Sequence, residues 1–89
     1  MIDRHFNGRL IGLVDFDDVA VEQRAIEFTD PAIPVRGAHV AVIVPDDGLW
    51  PAAKVQISPD VAEVSVEFLL WAIEKARELV QRDSITMGL

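Results

Sequence analysis

The groups able to do chemistry in this 89-residue chain are few, and most of them are carboxylates. Asp15, Asp17 and Asp18 crowd around Phe16, and Asp46-Asp47 forms a second acidic pair. Carboxylate oxygens suit hard cations, so the two turns could share Mg2+ or Ca2+ if they lie at the same end of a sheet. A small metal-dependent enzyme using Asp15, Asp17 and Asp18, with His39 as a further participant, is one expectation. Against it, the spacing matches no EF-hand loop, and aspartate gathers in corners because its carboxylate bonds nearby backbone N–H groups. The plain structural reading, turns with no metal and no cofactor, is the stronger.

The remaining candidates thin out quickly. His5 and His39, the only histidines, lack the HxE or HExxH surroundings of a zinc or acid–base site, and each suits a packing or surface role. There is no GxSxG, P-loop or GxGxxG, and the chain has no cysteine. Ser58 and Ser65 have no visible base beside them, so the chain reads as non-enzymatic. Pro31 to Arg36, PAIPVR, fits the PxxPxR form of a polyproline II ligand, yet between two strands it more simply makes a loop. Trp50-Pro51 beside a turn suits a lid over a small core.

Charge narrows the partners. Fifteen acids against eight bases give a net charge of −7, spread over both halves, with no basic patch to neutralise phosphates. Direct nucleic-acid binding is therefore disfavoured. The longest apolar run, Phe68 to Ile73, is far too short for a membrane span, and MIDRHFNGRL lacks the apolar core of a leader. Absence of cysteine fits a reducing compartment, which together suggests a cytoplasmic protein. Arginine outnumbers lysine and asparagine occurs once, a composition suited to a GC-rich bacterial or phage gene.

The elements that must position these groups follow from punctuation and periodicity. Length allows a single domain, residues 1–89, with strands and turns over 1–58, a helix over 59–83 and a short tail at 84–89. Asn7-Gly8 predicts a type I′ hairpin turn between Ile2–Phe6 and Arg9–Phe16. In the second arm Leu10, Val14 and Phe16 point one way and Ile11 and Leu13 the other, which predicts a central strand, with Gly12 marking a bulge or a close neighbour. Residues 19–29 carry both helical and strand features and fit a strand better. Ala38–Val44 reads as a buried strand returning through Pro45–Gly48 to another over Ala52–Ile57. Ser58-Pro59-Asp60 has the residue types of a helix start.

The helix itself has an excess of apolar residues. At about 100° per residue, Glu63, Glu67, Glu74, Glu78 and Gln81 fall in a stripe about 60° wide, and most of the rest is apolar. Ala62, Val66, Leu69, Ile73, Ala76 and Val80 make one seam, and Val61, Val64, Phe68, Ala72 and Leu79 a second. Two seams call for two neighbours, and a sheet is only one. The expected fold is therefore α+β: a curved antiparallel sheet of about four or five strands followed by one long C-terminal helix. Its expected role is a small acidic protein-interaction domain, a homo-oligomer and most simply a dimer. Val66, Phe68, Leu69, Trp71, Ile73, Ala76 and Val80 are the candidate interface. A different expectation is an inhibitor or antitoxin-like protein whose acids mask a basic protein or nucleic-acid-binding site.

Overall fold

A computed structural model describes residues 2–87, with side chains through Asp83. The chain is α+β. A two-stranded ribbon, β1 (His5–Phe6) and β2 (Arg9–Leu10), precedes a four-stranded antiparallel sheet in the order β3-β4-β5-β6, and one helix, α1, follows. The sheet is an open meander of β3 (Gly12–Asp18), β4 (Gln23–Thr29), β5 (Val40–Pro45) and β6 (Lys54–Ile57). α1 covers Val66–Met87, so residues 84–87, expected as a tail, continue the helix.

The first turn is as the sequence predicts. Asn7 and Gly8 take φ of 49° and 75°, the left-handed pair that a type I′ turn demands, and Phe6 pairs with Arg9 across it. The second arm, however, is split at Ile11, whose N–H donates to the Arg4 carbonyl at 2.9 Å. Beyond that point the chain joins the other sheet. Gly12 sits directly opposite Thr29, and a Cβ there would make ordinary contact with the Thr29 Cβ at 3.4 Å. β3 is an edge strand, bonded only to β4, where a central one was expected. Apolar residues on both faces suggested burial on both, but Asp15 and Asp17 interrupt the face that looks toward the helix.

Residues 19–29 combine the two readings: Val19–Val21 form a 3-10 turn and Gln23–Thr29 the strand. Glu22 joins them at φ 52°, an uncommon conformation for a residue with a Cβ. Asp18 precedes the 3-10 turn but makes no side-chain cap.

The core lies between one sheet face and the helix. Ile26, Phe28, Val40, Val42 and Val44 alternate along β4 and β5, and Phe68, Ala72, Ala76 and Leu79 meet them from α1 at spacings of four, four and three. Alanines in the middle let the helix come close, while Phe68 and Leu79 fill the ends. Burying a phenylalanine or leucine here contributes about 2 kcal/mol each, which makes this strip the main support of the fold.

The helix starts later than Ser58-Pro59-Asp60 suggested. Ser58 closes a local turn instead, its Oγ accepting from the Asp60 N–H at 3.2 Å and its carbonyl from the Val61 N–H at 3.1 Å. The working cap is Ser65, whose Oγ accepts from the Phe68 N–H at 3.1 Å. Val64 before the cap and Leu69 in the first turn, both half-buried on the core, occupy the positions of a hydrophobic staple.

Candidate functional site

Both acidic turns do lie at one end of the sheet. The Asp46 N–H donates to the Glu22 carbonyl at 3.0 Å, and Asp15, Asp17, Glu22, Asp46, Asp47 and Asp83 surround Arg24 in an open groove. Asp15 is not available as a ligand, because its two oxygens accept from the Arg24 Nε and Nη2 at 2.9 and 2.6 Å. Arg24 also pairs with Asp83 at 2.7 Å. The Asp15 hydrogen bond, followed by its charge and that of Asp83, raises the Arg24 pKa against the cost of partial burial. Asp17 and Asp18, adjacent on a strand, point to opposite faces. Among the described residues no group of three or more His, Asp or Glu side chains is arranged to hold a metal ion.

A second polar cluster lies inside the fold and was not visible in the sequence. Asp30, at the end of β4 and almost fully buried, accepts from the Arg9 Nε and Nη2 at 2.8 and 2.7 Å and from the Ala32 N–H at 2.9 Å. The Asp30 N–H in turn donates to Nδ1 of His39 at 3.0 Å, and His39 Nε2 meets the Val35 carbonyl at 2.7 Å. A backbone N–H facing Nδ1 requires a lone pair there, so the proton sits on Nε2 and donates to Val35. His39 is fully buried and every ring nitrogen is satisfied. The Arg9 hydrogen bonds hold the Asp30 carboxyl below its ordinary pKa, opposed by burial. This arrangement clamps the ribbon and the 30–39 connection onto the sheet. The bonds of the Ala32 N–H, the Ile33 N–H and the Val35 carbonyl to Asp30 and His39 hold PAIPVR as a clamped loop.

The apolar residues expected at an interface divide into three groups. Phe68 and Ala76 face the sheet and are covered by the chain itself. Trp71 is half-buried by an unexpected neighbour: the Phe6 ring from the ribbon lies 5.6 Å from it and 5.5 Å from Phe68, and Phe28 completes the cluster. The ribbon thus supplies the second neighbour of the helix on that flank, where another molecule was expected. Leu69, Ile73 and Val80 are half-buried on the opposite flank, and Val66 beyond them is 70% exposed. Leu70, outside the expected set, is 60% exposed.

Large apolar side chains also stand on the face of the sheet that the helix does not cover. Phe16, Ala25 and Ile43 are aligned across β3, β4 and β5, with Val14 and Ala41 in the next row on either side of Glu27. Val14 is 56% and Phe16 40% exposed, whereas Ala25 and Ile43 are buried at 4% and 9%. No helix among the described residues is long and apolar enough to cross a membrane. Comparison with known proteins gives no match: no family model, no curated protein and no solved structure is significantly similar to the chain.

Proposed function

We propose that this protein is a non-enzymatic interaction domain of the cytoplasm whose first partner is a second copy of itself. The observation that carries the reading is the amount of large apolar surface left over once the core is closed. Val66 and Leu70 on the helix and Val14 and Phe16 on the sheet stay exposed among the described residues. A chain this short gains stability from burying such surface against another molecule. The polar side chains add support, since the buried ones are all engaged in structural hydrogen bonds. Mass in solution, by sedimentation equilibrium or light scattering from low to high micromolar concentration, tests it. A dimer is expected, and a monomer throughout that range overturns the reading.

The acidic corner favours a second reading, an inhibitor or antitoxin-like protein that masks a basic surface. Asp17, Glu22, Asp46 and Asp47 make no ion pair among the described residues and converge around the already neutralised Arg24. Such a surface attracts cations over a distance of about one Debye length. Binding of an oligo-lysine probe should weaken steeply with salt and with Asp46→Asn/Asp47→Asn. Binding that is absent, or indifferent to both, excludes it.

A further inference from the structure

We infer that the face of the sheet opposite the helix, where Val14 and Phe16 stand exposed beside the buried Ala25 and Ile43, is where a second copy docks, sheet against sheet, about a two-fold axis running along the strands. The inference rests on the self-association proposed above and names its surface. Its first support is the alternation of β3. Leu13, Asp15 and Asp17 point to the helix side of the sheet, and Val14, Phe16 and, at the strand's end, Asp18 to the other. A half-buried strand normally turns its apolar residues toward the covered face. Here the charged pair looks toward the helix and the valine and phenylalanine look toward what is, in a single chain, water. The side-chain pattern of this strand is that of one buried on the open face.

Charge supplies the second support. The open face carries two acids, Asp18 on β3 and Glu27 on β4, and one base, Lys54 on β6, and none of the three has an ion-pair partner among the described residues. Within one chain Lys54 is two strand spacings from Glu27 and three from Asp18. A two-fold axis along the strands lays β6 of one copy over β3 of the other, so that each lysine, on the Phe16 row, reaches across a gap of about 10 Å between the sheets toward the opposite Asp18 and Glu27, each one residue pair along the strands. Opposite charges thus face each other, one base of each copy against two acids of the other. The helix flank is less suited: Leu70 lies three and four residues from Glu67 and Glu74, so pairing two copies there would bring their glutamates together.

Size sets the expected strength. Four strands about 4.8 Å apart and about six residues long at 3.3 Å each present a face of roughly 400 Å2. A standard stable interface takes about 800 Å2 from each partner. The pair should accordingly associate in the micromolar range rather than the nanomolar.

The test is sedimentation equilibrium on the full chain and on variants whose folding is checked by circular dichroism and thermal melting. Val14→Lys and Phe16→Lys, both at exposed positions, should each weaken the dimer by about ten-fold or more. Glu27→Lys and Lys54→Glu should each weaken it, and the double exchange should recover most of the loss, a pattern that a merely structural role would not produce. Leu70→Lys should leave it intact. A dimer broken by Leu70→Lys but untouched by Val14→Lys and the charge exchanges overturns the sheet-face assignment while self-association stands. A wild-type monomer at high micromolar concentration overturns both.

Discussion

Arg9 and Asp30, 21 positions apart in the chain, meet through two parallel hydrogen bonds, one from Nε at 2.8 Å and one from Nη2 at 2.7 Å. The carboxylate is interior and the guanidinium reaches it from the rim, so the pair fastens the ribbon to the end of β4. Because the ribbon brings Phe6 onto Phe68 and Trp71, the clamp and the aromatic cluster depend on each other.

Asp30→Ala leaves the Ala32 N–H without its acceptor and Arg9 without its partner. The expected cost is about 2–3 kcal/mol, read as a lower urea midpoint with an unchanged slope. Trp71 fluorescence should report loosening of the ribbon in the same variant.

The pH dependence has a definite sign. Arg9 holds the folded-state pKa of Asp30 below the ordinary 3.8, so the unfolded chain takes up this proton first. Its stabilising contribution is complete above the ordinary carboxylate value and is lost as pH falls through the lower folded value. Urea midpoints measured from pH 6 down to about 2.5 should fall more steeply for the wild type than for Asp30→Asn below about pH 4. Parallel curves would remove the role given to this carboxylate.

His39→Leu tests the interior network from its other side. The substitution leaves the Asp30 N–H and the Val35 carbonyl without partners, at a cost of about 3 kcal/mol for the two. His5→Leu, on an exposed ring whose bonds go to Asp3, should change stability by less than about 0.5 kcal/mol.

The two serines near the helix start separate by mutation. Ser65→Ala removes the side-chain cap and should cost about 1 kcal/mol, whereas Ser58→Ala should cost about half of that or less. Thermal melts of the two variants, taken together, decide which residue begins the helix.

That pair also shows how far the sequence can be read. Ser58-Pro59-Asp60 and Ser65 both carry capping chemistry, and the apolar residues between them keep a helical period, so local rules cannot choose. The choice is tertiary, since Val61 and Val64 are half-buried without belonging to the helix. Asn7-Gly8 and the buried run of β5 were legible because turn geometry and β-branching act locally. Seam counting pointed to another molecule as the second neighbour of the helix, and it could not show that the chain's own ribbon lies on Phe68 and Trp71. Its ring contacts carry no periodic signal. The Arg9–Asp30–His39 network was illegible for the same reason: nothing local links positions so far apart.

Glu22 offers a stabilising change. At φ 52° its Cβ is crowded, and asparagine tolerates that region better. Glu22→Asn should raise stability by about 0.5 kcal/mol, measurable as a small increase in Tm.

The carboxylates of Asp15 and Asp17 have one more effect, on how large any assembly can grow. Lateral addition of a foreign strand at the β3 border would have to set its own side chains against two acids, one already tied to Arg24. At the opposite border β6 is four residues long, with Pro51 and Pro59 close on either side. Growth sideways into fibrils is therefore opposed at both ends, and a second copy stacked on the open face would leave a helix as each outer layer. Concentrated solutions should stay clear.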